Sequence, residues 1–334
     1  MSNVEVEKTV THWPDGEADV PVGPVVRVIY ASRSLVHASV LDEMRRIRNH
    51  AVVNNGPADI RVVLFHTNGW FVQWMEGMAD GVEQLLARVS KDMRHRDLMV
   101  IHRSEGQPRL FRPWIGSIVQ AVESERQFEA RVLAQYRRHN QGEQAEPASV
   151  WTRLCSPYAP DMPRPWGRNP KVMLLSVQGT LAFNLLEWLA LHEQRTLVRR
   201  RFAGSVDDAP DVESDYLDLP EHGPRGLRLI ANARQGLAMG MAHALLPDHA
   251  AVVVLLGSSP ERNQRLIERV LVACRQVHHN ALIVGVGSRE QVSEALGEAV
   301  MRQGMPWAGV VAQGASPDAA AIWAALAPLL VRLQ

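Results

Sequence analysis

Two polar side chains stand inside otherwise apolar runs. Tyr30 lies within Val25–Ala31 (VVRVIYA), and Gln73 lies within Trp70–Met75, in the company of Phe71 and Trp74. An unpaired buried amide or phenol costs about 1–3 kcal/mol, so each needs a partner. Gln73 brings donor and acceptor atoms, and Tyr30 brings a phenol. If the two runs are neighbouring strands, both side chains face one site. Asn54 and Asn55 close one helical stretch, and Arg88, Asp92, Arg94 and His95 cluster at the end of a second. The same residues also fit a glutamine bonded to backbone and ordinary turn asparagines. Residue type alone does not choose between the two.

The elements that would carry these residues follow from periodicity. Residues 25–31 form a β-branched run suited to a buried strand. Leu41, Met44, Ile47 and Ala51 recur at helical spacing and predict a helix over about 38–53. Asn54-Asn55-Gly56-Pro57 ends it. Strands are predicted at 60–66 and 70–75 around the hairpin signal Thr67-Asn68-Gly69. Val82, Leu85, Leu86 and Val89 mark a second helix, and 98–102 and 110–119 read as two more strands. The order β-α-β-β-α-β-β predicts an α+β, ferredoxin-like N-terminal domain extended by one strand.

A helix at 123–140 trails this domain. Six prolines between 141 and 170 argue against a continuous helix there and predict a linker. Residues 1–23 have no sustained apolar period and read as a flexible tail. The expected organisation is therefore a tail over 1–23, a domain over 24–140, a linker over 141–170 and a second domain over 171–334.

Several pieces of the first domain, in order, resemble the BLUF family, sensors of blue light using FAD. They are Ile29-Tyr30-Ala31-Ser32, Asn54-Asn55, Gly69 to Gly77, Arg88-Val89-x-x-Asp92-x-Arg94-His95 and Phe111-Arg112-Pro113-Trp114. The resemblance covers about 95 residues, from Val25 to Val119. It implies a non-covalent FAD whose isoalloxazine ring lies between the two helices. By matching position, Tyr30 and Gln73 would be the photoactive pair. Asn55, with Asn54 beside it, would bond the ring edge. Arg88 and the Arg94-His95 pair would lie toward the ribityl and phosphate side, where cations suit the charge, and Asp92 is expected among the cofactor-binding residues. Trp114 matches a tryptophan of the last strand. The family's mechanism is light-driven electron and proton transfer from tyrosine to flavin, followed by rearrangement of the glutamine and redirection of the last strand.

The sequence departs from the family pattern at Asp59-Ile60-Arg61-Val62, where the family has Gly-x-Thr-Gly. Valine for glycine removes freedom at positive φ and adds bulk near the site. Gly116 stands where the family has methionine.

From Lys171 onward, apolar strands alternate with helices: strands at 171–177, 196–202, 227–231, 250–256, 281–286 and 307–312, helices at 180–192, 235–246, 261–277, 289–302 and 317–333. That pattern predicts a three-layer α/β domain on a mostly parallel sheet. Its order resembles a small GTPase (Ras-like) domain. The phosphate-loop position reads Ser176-Val177-Gln178-Gly179-Thr180-Leu181-Ala182-Phe183. Ala182 stands where such a loop needs lysine, and Phe183 where it needs the magnesium-binding hydroxyl. Lysine occurs only at Lys8, Lys91 and Lys171, so none follows to substitute. The counterparts of DxxG (231–236) and NKxD (286–289) also lack their key residues. The expectation is a pseudo-GTPase that binds no nucleoside triphosphate and does no catalysis. The acidic stretch 207–222 is expected to be a solvated loop without metal.

Composition bounds the rest. The chain has 334 residues, 36 basic and 36 acidic, which disfavours a dedicated nucleic-acid or membrane-surface binder. No apolar run nears the ~20 residues of a membrane span. No signal peptide is visible, and two cysteines, Cys155 and Cys274, suit a reducing cytoplasm. The expected function is a cytoplasmic, non-enzymatic light-responsive regulator acting by protein contact. Its partner would be another protein, with a second copy of the chain as one candidate.

Overall fold

The computed structural model describes residues 23–36, 39–55, 59–110, 114–120, 123–155, 169–202, 212–233 and 244–333. The tail expected over 1–23 therefore lies outside them except for Gly23, as does most of the helix expected over 235–246.

The N-terminal elements are β1 (Val25–Ser34), α1 (Val40–Asn55), β2 (Arg61–Thr67), β3 (Trp70–Gly77), α2 (Ala79–Val89), β4 (His95–Gly106) and β5 (Ile115–Gln120). β2 and β3 join through Asn68 and Gly69, both at positive φ (47° and 74°). That is the two-residue turn whose twist matches a hairpin. β3 and β4 flank β1 antiparallel, and β2 runs antiparallel to β3 but parallel to β5. The outcome is a ferredoxin-like α+β domain.

Side chains alternate across this sheet. Tyr30, Val62 and Met75 pack with Val82 and Leu85 of α2, while Leu64 and Phe71 pack with Met44 of α1. The opposite face presents Ile29, Phe65, Trp70, Val72 and Trp74. It is covered by α3 (Glu125–Asn140) and α4 (Pro147–Cys155). Ser124 and Gln127 form a reciprocal capping box at the start of α3.

α4 corrects the linker expected over 141–170. Pro147 occupies its first position, where a missing N–H costs nothing. Val150, Trp151 and Leu154 are buried, and Phe65 meets the Trp151 ring edge-on at 4.9 Å. Of the remaining prolines, Pro157, Pro160, Pro163 and Pro165 lie outside the described residues.

The C-terminal half contains β6 (Lys171–Ser176), α5 (Leu181–His192), β7 (Val198–Phe202), β8 (Val212–Leu219), β9 (Leu227–Asn232), β10 (His249–Leu255), α6 (Pro260–Gln276), β11 (Leu282–Gly287), α7 (Glu294–Arg302), β12 (Trp307–Val311) and α8 (Ala319–Val331). Its sheet is mixed. β9, β6, β10, β11 and β12 run parallel, and β8 and β7 continue the β9 edge antiparallel. α5 and α8 cover one face, α6 and α7 the other.

Two further expectations change. The acidic stretch 207–222 is not a loop throughout, because Val212–Leu219 is β8. Asp215 and Asp218 on it are buried. Asp218 pairs with Arg228 at 2.7 Å, with both side chains 1% exposed, and that guanidinium lies over the Tyr216 ring. The helix expected from 289 begins at Glu294, after Ser293 caps it by accepting from the Leu296 N–H.

The strand order is β12-β11-β10-β6-β9-β8-β7-β5-β2-β3-β1-β4, one continuous sheet. β5 is the shared member. Residues 63–66 of β2 pair with 115–118 of β5, and Val119 and Gln120 pair antiparallel with Phe202 and Arg201 of β7.

Candidate functional site

Tyr30 and Gln73 are directly opposed in the β1–β3 ladder. Both are buried, and the Tyr30 hydroxyl donates to Gln73 Oε1. The bond fixes the amide with its oxygen toward the phenol. Among the described residues nothing accepts from Gln73 Nε2. Burial pushes the Tyr30 phenol well above its ordinary pKa, and the nearby Asp92 carboxylate adds to this. Tyr30 is therefore a neutral donor across the physiological range.

The pair forms part of the wall of a cavity of about 420 Å³. The walls come from α1 (Ile47, His50, Ala51, Asn54, Asn55), α2 (Leu85, Arg88, Val89) and the sheet residues Leu64 and Phe71. Asp92, Arg94, His95 and Trp114 complete them. All nine residues singled out in the sequence thus border one space. Asn55 is buried and its side-chain amide has no partner among the described residues, whereas Asn54 is exposed and donates to the His50 carbonyl at 2.6 Å.

The charged side is organised around Arg94. Its Nε donates to Asp92 Oδ1 at 2.8 Å and one terminal nitrogen donates to Glu43 of α1 at 3.0 Å. Hydrogen bonding to Arg94 holds the Asp92 carboxyl below its usual range. Arg88 is exposed and makes no ion pair among the described residues. The His95 ring lies 6.3 Å from that of Tyr30, nearly parallel to it. Among the described residues its two buried nitrogens meet the Val89 backbone only as a weak hydrogen-bonding neighbour, and burial lowers its pKa.

Trp114 borders the cavity because residue 116 has no side chain. A Cβ on Gly116 would lie 3.0–3.2 Å from three atoms of the Trp114 indole. The departure at 59–62 leaves the cavity open. Val62 is buried beneath Tyr30 and does not line the cavity. The backbone at positive φ is Asp59, at 47°, and its carboxylate pairs with Arg61 at 2.9 Å.

Sequence reasoning did not assign Ile47, His50, Ala51, Leu64, Phe71, Leu85 and Val89 to the site. On α1 the spacing 47, 50/51, 54/55 placed them on the face of the two asparagines, so the signal was present but read as core.

The residues fit a flavin. The volume is within the usual range for cofactor sites. Apolar side chains offer walls for a flat ring. Gln73 and Asn55 offer hydrogen-bonding atoms that no group among the described residues satisfies, and arginines stand on one side for phosphate. Among the described residues no cluster of three or more His, Cys, Asp or Glu side chains is placed to hold a metal. No helix among them is long and apolar enough to cross a membrane.

Known proteins resemble the N-terminal half of the chain. Residues 25–116 match the family model described as BLUF, sensors of blue-light using FAD. The chain is 35% identical over 82 residues to photoactivated adenylate cyclase subunit beta of Euglena gracilis. It is also 35% identical over 69 residues to a beta-like protein FB of that enzyme from the same organism. These matches cover 25% and 21% of this chain but only 9% and 8% of the relatives. Among solved structures, BlsA in its ground state is 22% identical with a TM-score of 0.30, covering 40% of this chain and 88% of that one. A bacterial light-regulated adenylyl cyclase gives 22% and 0.27, covering 41% of each chain. A BLUF domain, of a family whose members bind FAD, thus spans residues 25–116.

Proposed function

We propose that the BLUF domain at residues 25–116 binds FAD in the cavity between α1 and α2 and makes the chain a blue-light sensor. The observation that carries this reading is the Tyr30–Gln73 hydrogen bond on the cavity wall, with the second atom of the same amide unpartnered. A bound flavin would supply light absorption and electron acceptance. Tyr30 holds the transferable proton on its hydroxyl, kept there by burial. Gln73 is the switchable group: turning its amide exchanges acceptor for donor in front of Tyr30. Asn55 orients the ring edge, and Arg88 and Arg94 balance phosphate charge.

Output leaves through β5. The strand carries Gly116 beside Trp114 at its start and pairs with β7 at its end. A displacement of β5 relative to β2 is therefore felt in the C-terminal sheet without crossing a flexible tether.

The C-terminal half is a G-domain-like scaffold that acts by protein contact and turns over no substrate. Its strand order, with β8 antiparallel beside β9 and β6 central, supports the G-domain-like part of this reading. The chemistry at the strand ends supports the inactive part. Ala182 is fully buried, and Phe183 packs on the core. The Asn263 amide bonds both the N–H and the C=O of Gly257, at 2.8 and 2.9 Å. Gln291 takes the Ser288 N–H at 2.8 Å. The backbone N–H groups of Gly257 and Ser288 at two of the strand ends are thus engaged within the protein.

Absorption spectroscopy of the purified full chain tests the sensor. It should be yellow, alone or after incubation with FAD, and blue light should shift the flavin band reversibly to the red. A chain that stays colourless with excess FAD refutes the reading. Calorimetric titration with GTP and with ATP, in magnesium, should show no binding heat. Micromolar affinity for either would refute the scaffold reading.

A further inference from the structure

Glu76 lies on β3 three residues beyond Gln73, on the face turned away from the cavity, and is 1% exposed. A buried carboxyl in a strand interior needs a reason. Its Oε2 accepts from the backbone N–H groups of Arg109 and Leu110 at 2.6 and 2.9 Å, and its Oε1 accepts from Trp74 Nε1 at 3.0 Å. Arg109 and Leu110 belong to the connection between β4 and β5, and Leu110 is itself fully buried. The next described residue is Trp114.

We propose that Glu76 is a positioning residue whose carboxyl pins the β4–β5 connection to β3 and thereby fixes the strand that carries Trp114 to the cavity. The photoactive glutamine and this pin share one strand, so the light site and the origin of the output strand are joined through four residues of β3. The importance for the light response rests on the flavin reading, but the pin itself does not.

The charges around Glu76 are defined. Arg27 on β1 and Arg61 on β2 stand directly opposite it in register. Arg27 pairs with Glu146 ahead of α4 at 3.4 Å and donates to Ser104 of β4 and to the Glu105 and Gln107 carbonyls. Arg109 also pairs with Glu146, at 3.1 Å, and Arg61 pairs with Asp59. His102, on β4, bonds Ser104 and is held low by burial, at about 4. Burial pushes the Glu76 carboxyl up from 4.5 to about 7, against the pull of its N–H donors and Arg27.

This sets the sign of the test. With the connection pinned, the carboxyl titrates near 7; with it open and solvated, near the ordinary carboxylate value. The pinned state binds the proton more tightly, so opening becomes easier as pH rises between those values and levels off above 7. Hydrogen exchange of the Arg109 and Leu110 amides in the full chain, corrected for intrinsic rates, reads this directly. Wild-type protection should fall about tenfold per pH unit from about pH 5 to 7. Glu76→Gln should show no such slope. If Glu76→Gln does not fold, the wild-type profile still decides. A flat wild-type profile, or the same slope in Glu76→Gln, overturns the pin. In FAD-loaded protein, dark recovery after blue light should vary over the same pH window in wild type but not in the variant. An exchange slope without that variation in a light-responsive protein overturns the positioning role. If neither protein responds to light, the flavin reading fails and the exchange profile still judges the pin.

Discussion

The Tyr30–Gln73 pair makes a prediction about stability that needs no cofactor. Gln73→Leu keeps the size of the side chain but removes the acceptor of the Tyr30 hydroxyl. Tyr30 is 2% exposed, so its O–H is left buried and unpaired. That costs about 1–3 kcal/mol. Tyr30→Phe removes the donor and strands the Gln73 oxygen at similar cost. The double variant replaces both partners by apolar groups of the same shape, which is close to neutral. The double variant should therefore be destabilised by less than the sum of the singles, with a coupling of about 1–2 kcal/mol. Urea unfolding of the four flavin-free proteins, followed by circular dichroism, measures this. Additivity within about 0.5 kcal/mol would show that the bond contributes nothing, and would refute the geometry on which the light mechanism is built.

Gly116→Ala should push the Trp114 indole by a few tenths of an ångström, since the new Cβ falls 3.0–3.2 Å from it. Fluorescence titration should find FAD affinity reduced by about tenfold, from about 1–3 kcal/mol of overpacking. Arg228→Ala removes the guanidinium paired with the buried Asp218 carboxylate, and unfolding should be easier by about 3–5 kcal/mol. Arg228→Met together with Asp218→Leu should recover most of that loss, which a calorimetric melting comparison will show.

Much of the N-terminal half was legible because its signals are local. Asn68-Gly69 marks a turn by backbone conformation alone, and a phenol and an amide in apolar runs mark a site by their need for partners. What stayed hidden depends on distant residues. β8 carries acidic residues whose neutralisers, Arg199 and Arg228, lie on its two neighbouring strands, so its composition mimics a solvated loop. α4 sits among prolines that conceal the burial of Val150, Trp151 and Leu154. Glu76 reads as an ordinary strand-end charge until Arg109 and Leu110 are brought to it. The pairing of residues 119 and 202 has no local signature.

On the proposed reading, that pairing is the route by which a small event at the cavity reaches the far half of the chain. Among the described residues β5 is held to β2 across residues 115–118 and to β7 through the register pairs Val119 with Phe202 and Gln120 with Arg201. Each ladder hydrogen bond contributes about 0.5–1.5 kcal/mol net. A shift of β5 that costs or gains one such bond changes the population of the joined sheet by up to about tenfold. Rearranging the Gln73 amide exchanges hydrogen bonds of the same order. On the light-sensor reading proposed above, the energy available at the cavity and the energy needed at the joint therefore match in scale.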